Sequence, residues 1–213
     1  AFADDVGLTT QLIAAPSETV EKIRADIGTI LEDMRSLVPA WERELRALVN
    51  TFVLATSAGE QASYNGASAF AAWGAVLLNP VSQKGLFNLA VTMVHESSHQ
   101  KLFYAYLDDY VVLNDPDESY YSPLRRSQRP MNGIFHACYV TTCMASFVSD
   151  LLNTGQKSVV IEQLGEAESR ETIKSYTAVV EDCFGVIDAH AELTDVGKTL
   201  LADLKSEIER IKT

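Results

Sequence analysis

The stretch VTMVHESSHQKLF, residues 91–103, decides how the rest of the chain is read. His95 and His99 stand four residues apart with Glu96 between them. On a helix, residues i and i+4 are neighbours on one face, so two imidazoles at this spacing can share one metal ion. The intervening carboxylate points to the side of the pair, where it can reach a metal-bound water or orient a ligand. The bland reading is two ordinary histidines on a helix, and the surroundings weigh against it. Apolar Leu86, Leu89, Ala90, Met93 and Val94 recur at helical spacing, which predicts an amphipathic helix over residues 85–106 with the histidines roughly opposite the stripe. A short apolar run, residues 75–78, precedes it and predicts a strand.

Working outward, residues 17–38 carry Val20, Ile23, Ile27, Ile30, Leu31, Met34, Leu37 and Val38 at helical spacing, and Pro39 ends the run. Residues 40–49 suggest a second helix, and VNTFVLA, residues 49–55, a strand. Residues 56–74 are rich in Ser, Gly and Ala and read as a long loop. Residues 108–129 hold or adjoin Pro116, Pro123 and Pro130 and read as a long irregular segment, a kind that is often functional. Helices are expected over residues 132–152, 156–190 and 194–211, the last with a stripe of Val196, Leu200, Leu201, Leu204, Ile208 and Ile211. A strand leading into a histidine-bearing helix, with helices after it, predicts a mostly helical α+β domain. The expected arrangement is zincin-like, with the metal helix packed beside a small sheet.

Bulk properties bound the function. With 213 residues and 47 % hydrophobic content, the chain is expected to form one compact domain over residues 1–213, whether whole or a fragment of a longer protein. Seventeen Lys plus Arg against 29 Asp plus Glu give a formal charge of −12, which argues against nucleic acid as a partner. Cys138, Cys143 and Cys183 are odd in number and irregularly spaced, so they read as buried thiols in a reducing cytoplasm rather than as a disulfide framework. No apolar run of membrane-spanning length occurs, and AFADDVGLTT lacks the basic and apolar regions of a signal peptide. Nothing in the sequence specifies an oligomeric state.

Two histidines do not complete a metal site. The HExxHxxGxxH form is excluded, because position 102 is Leu and position 105 is Ala. His136, in the apolar stretch GIFHACYV, is a third ligand or a satisfied core histidine; His190, beside acidic residues, reads as solvated or capping. Asp115, Asp117 and Glu118 are alternative ligands. Downstream, YYSPLRRSQRP gathers Arg125, Arg126 and Arg129 in an acidic chain. Such a cluster is either a solvated basic turn or a carboxylate-binding element, since guanidinium grips carboxylate bidentately.

Taken in order, VHESSHQKL, YYSPLRRSQRP and NGIFHACYV resemble the HExxH-motif peptide-modification family of ribosomally made, post-translationally modified peptides. GAVLLNP before them and LTDVGKTLLADL near the end are similar as well, so the resemblance spans roughly residues 45–211. It implies Fe(II)- and 2-oxoglutarate-dependent hydroxylation, with O2 as oxidant, at the β-carbon of residues in a precursor peptide. It further implies His95, His99 and His136 as metal ligands. Arg125 and Arg129, with Tyr121 and Ser122 of the same block, become the candidates for holding 2-oxoglutarate, and Glu96 a catalytic or orienting group. Two alternatives use the same residues differently. A zinc metallopeptidase would take Glu96 as general base, and a non-enzymatic domain would only bind a peptide.

Overall fold

A computed structural model describes residues 12–58, 64–108 and 110–213. The element order is β1 (Leu12–Ala14), α1 (Ser17–Leu37), α2 (Pro39–Leu48), β2 (Thr51–Ser57), β3 (Gly66–Ser68), β4 (Ala75–Leu78) and α3 (Leu86–Asp108), followed by β5 (Tyr120–Ser122), β6 (Ser127–Arg129), α4 (Met131–Asn153), α5 (Val159–Leu164), α6 (Glu166–His190) and α7 (Asp195–Lys212). The protein is therefore mostly helical α+β, as expected. By its contacts the chain forms two compact units. The first comprises the residues up to Gln100 with Asp150–Glu166; the second comprises Lys101–Ser149 with Ala167–Thr213.

In the first unit, a four-stranded sheet has the order β1-β2-β4-β3. β2 and β4 are parallel, pairing Thr51 with Ala75 and Leu54 with Leu78, while β3 pairs antiparallel with β4, Gly66 opposite Leu78 and Ser68 opposite Val76. β1 is antiparallel to β2. Helix α1 buries Ile23, Ile30 and Met34, one face at helical spacing. It stops because Val38 precedes proline and is pushed out of helical geometry (φ −134°, ψ 62°), while Pro39, lacking an N–H, suits the first turn of α2. The Trp41 indole N–H donates to Asp150 Oδ2 at 2.8 Å. Gln163 of α5 caps the start of α3, its Oε1 accepting from Phe87 N–H at 3.0 Å.

In the second unit, a core of Leu102, Val111, Met131, Ile134, Phe135, Cys138, Val140, Val180, Ile187, Leu204 and Ile208 joins the end of α3 to α4, α6 and α7. Helix α7 starts on Thr194, whose Oγ1 accepts from Gly197 N–H at 3.1 Å. Gly197 lies against the Val111 carbonyl so closely that a β-carbon there would overlap it. Helix α4 is long and apolar enough to cross a membrane by composition, yet 72 % of that window is buried inside the protein, as in a core helix. No disulfide links the cysteines; Cys138 and Cys183 are buried and Cys143 half-buried, and burial pushes the Cys183 thiol up to about 11.

Five expectations change, the first being that residues 156–190 are not one helix, because Gly165 (φ 97°) separates α5 from α6. Residues 108–129 contain β5, and a tight turn carries the chain from Ser122 into β6, so the segment is not wholly irregular. Residues 56–74 include the end of β2 and all of β3; residues 59–63, also within that expected loop, lie outside the described residues. Helix α3 is not amphipathic: it is packed on nearly every side between Leu89 and Gln100. Val196, assigned to the buried stripe of α7, is 39 % exposed, and Gly197 takes its place in the contact. The three-residue strands carry too few residues for a period-two pattern to register.

Candidate metal centre

From Leu89 to Gln100, every residue of α3 is buried except His95 and His99, which are partly open. The helix thus exposes two imidazoles through an otherwise closed surface. Their Nε2 atoms face each other at 3.2 Å, with ring centroids 4.8 Å apart and an interplanar angle of 74°. With metal–nitrogen bonds of about 2.1 Å, that separation corresponds to an N–metal–N angle of roughly 100°, between octahedral and tetrahedral values. The distance is also that of an N–H···N bond, so a shared proton or a shared ion can hold the two rings in this pose. The pair fits two ligands of one ion.

Glu96 is 3 % exposed and sits beside the pair, its Oε1 3.9 Å from His95 Nε2. Its other oxygen, Oε2, accepts a hydrogen bond from Ser68 Oγ at 2.8 Å, and Ser68 Oγ lies 3.1 Å from the Glu96 carbonyl oxygen. A buried carboxylate needs such donors. Strand β3 approaches closely enough to supply one because residue 66 is glycine: a β-carbon there would stand 2.8 Å from Glu96 Cγ and 2.9 Å from its Oε1. One turn on, Gln100 ties the helix to the start of β4, its Oε1 accepting from Gly74 N–H and its Nε2 donating to Ala75 O, both at 3.2 Å. Gly66, Ser68 and Gln100 were not singled out in the sequence. The only hint was Asn65-Gly66 inside a run read as loop.

His136 belongs to the second unit. Its ring is partly exposed, but Nε2 is turned inward and buried, and burial holds the imidazole neutral, down to about 4. Phe103 and Tyr106 pack on it, with ring centroids 6.2 and 5.3 Å away. The Tyr106 hydroxyl donates to Asn132 Oδ1, one turn before His136 on α4, and burial pushes the Tyr106 phenol upward.

The basic segment forms the β5–β6 hairpin in the same unit, with Tyr120 opposite Arg129 and Ser122 opposite Ser127. Arg125 and Arg126 are exposed at its turn, Arg129 is half-buried, and Tyr121 is exposed. Ser122 is buried, and the turn uses it: its carbonyl accepts from Arg126 N–H at 2.8 Å and its Oγ from Arg125 N–H at 3.4 Å. Arg126 is in the left-handed region (φ 52°). Asp115, Asp117 and Glu118 are exposed; Asp115 Oδ1 accepts from Asp117 N–H, and Glu118 Oε2 accepts from the Tyr120 hydroxyl at 2.6 Å. His190 ends α6, exposed, with its ring 5.3 Å from that of Tyr120.

The structure therefore brings His95, Glu96 and His99 together in the first unit, and places His136 and the arginine hairpin in the second. Among the described residues, no three His, Cys, Asp or Glu side chains already gather as a metal-holding group. Compared with models of known protein families and with curated proteins, the chain matches none.

Proposed function

We propose that the protein is an Fe(II)- and 2-oxoglutarate-dependent oxygenase that hydroxylates the β-carbon of residues in a ribosomally made precursor peptide in the cytoplasm. The observation that carries the metal reading is the opening on α3: His95 and His99 are the partly exposed residues of an otherwise buried stretch, with Nε2 atoms 3.2 Å apart. The resemblance supplies the oxygenase chemistry, the peptide substrate and His136 as third ligand, and the strand-then-helix pattern supplies the zincin-like arrangement. Burial that keeps His136 neutral supports that role, because a metal ligand must present an unprotonated nitrogen. His95, His99 and His136 would hold the iron, which would supply O2 activation, and the overall balance would be peptide C–H, O2 and 2-oxoglutarate going to the hydroxylated residue, succinate and carbon dioxide.

The chain's own residues bind and orient. Arg125 or Arg129, the exposed and half-buried arginines of the hairpin, grips the remote carboxylate of 2-oxoglutarate. Tyr121 flanks that ligand, and Ser122 holds the turn that presents Arg125. Glu96, buried beside the histidine pair, orients a ligand or the substrate through Oε1.

The position of Glu96 also favours a second reading. A carboxylate oxygen 3.9 Å from a ligand nitrogen is placed to take a proton from a metal-bound water, as in a zinc peptidase. Anaerobic addition of Fe(II) and then 2-oxoglutarate separates the two. A weak charge-transfer band in the visible, lost in His136→Ala and in His99→Ala, is expected for the oxygenase. A protein that gives no band, binds zinc tightly and cleaves peptides only with Glu96 intact is the peptidase instead.

A further inference from the structure

We propose that Ser68 is the positioning residue that sets the orientation of Glu96, and so keeps this carboxylate a neighbour of the histidine pair rather than a ligand beside it. The inference rests on the metal-centre reading of His95 and His99. Gly66 and Ser68 are two apart on β3, so they present the same face of the strand, and both touch Glu96. Gly66 makes the contact by having no β-carbon, and Ser68 makes it by donation. A hydroxyl has one proton. Of the two acceptors within its reach, the carboxylate oxygen at 2.8 Å is nearer than the carbonyl at 3.1 Å, so the shorter contact is the one to Glu96 Oε2. Once Oε2 is held, Oε1 is the oxygen turned toward His95. The terminal torsion of a glutamate is broad, so the side chain by itself does not fix the plane of its carboxylate, and the strand hydroxyl is a contact that helps to fix it. Neither Gly66 nor Ser68 is part of the motif; the edge strand adds them.

The test uses Co(II) as probe with the whole chain and the variants Ser68→Ala, Ser68→Thr, Gly66→Ala and His99→Ala. The wild-type protein is expected to take one Co(II) with a visible ligand-field spectrum that His99→Ala abolishes. Ser68→Ala should bind Co(II) with shifted bands and an affinity changed about 10-fold, the lower end of what a residue supporting a ligand commonly gives. Ser68→Thr, which restores the hydroxyl, should return both to wild type, and Gly66→Ala should disturb the spectrum with the hydroxyl intact. Superimposable spectra and affinities for Ser68→Ala and wild type overturn the proposal. A Co(II) spectrum unchanged in His99→Ala instead sinks the metal-centre reading. The metal-free crystal structure of Ser68→Ala then decides the Ser68 claim by itself: a rotated Glu96 carboxylate upholds it, and an unmoved one ends it.

Discussion

His95 and His99 make one kind of histidine environment, and His136 makes another. The first two are partly open on a buried helix and face each other, Nε2 to Nε2. His136 hides its Nε2 and packs against Phe103 and Tyr106. A histidine of the first kind contributes little packing and keeps its chemistry available. One of the second kind contributes packing, and its surroundings hold it neutral. The difference teaches that the same residue type can be legible as a facing pair from spacing in one place and depend on tertiary surroundings in another.

The sharpest way to break this contrast is metal binding. His99→Ala or His95→Ala should weaken Co(II) or Fe(II) binding by at least about 100-fold, more than loss of a mere supporting residue. Denaturant unfolding of the metal-free variant should shift by less than about 1 kcal/mol, because the ring is partly exposed. Equal affinities would remove the pair from the site. His136→Ala should behave in the opposite way in metal-free protein, costing about 2–3 kcal/mol through the cavity left between two aromatic rings. An unfolding curve within a few tenths of wild type would show that Phe103 and Tyr106 do not depend on it. Tyr106→Phe comes next, at about 1–2 kcal/mol, since the Asn132 side-chain oxygen loses this donor in a buried setting. A double-mutant cycle with Asn132→Ala should recover most of that coupling.

The smallest effect is a control on the α7 side of the second unit. Arg210, at 2.5 Å from Oε1, and Ser146 both donate to Glu207 and hold its carboxyl below the usual range, with Arg210 the larger cause. The folded state then favours the ionised form. That stability is present above the unfolded carboxyl pKa and fades as pH falls through the lower folded value. Partial exposure limits it to about 0.5 kcal/mol. Acid titration of unfolding free energy should therefore show a slightly shallower loss in Glu207→Gln than in wild type. An identical slope would assign the Arg210–Glu207 contact no stabilising role.

Much of the fold was readable because long elements repeat a signal. Helix α1 shows its apolar spacing for five turns before Pro39, and β4 coincides with the run expected at residues 75–78. Short elements repeat nothing. β1, β3 and the two strands of the hairpin are each three residues long, below the length at which alternation can be told from chance. Helix α3 misled in a different way. Its polar residues Thr92, Ser97, Ser98 and Gln100 look solvent-facing by type, yet all are buried. Thr92 Oγ1 donates to the carbonyl of Asn88, and Ser97 and Ser98 Oγ to that of Val94, while Gln100 joins the sheet at Gly74 and Ala75. Hydroxyls that turn back onto their own helix can be buried at little cost.

By itself the sequence determined that His95, Glu96 and His99 share a helix and that the two imidazoles can meet, because i,i+4 contact is a property of helix geometry alone. It also determined that residues 132–152 form a helix, whereas the burial of α4 inside the protein was decided by the tertiary structure. Only the tertiary structure decided which residues support the pair. Ser68 lies 28 positions before Glu96, and no local rule connects them. A hydrogen bond between distant segments depends on strand register and on the close approach that Gly66 permits, and both are set by packing of the whole unit.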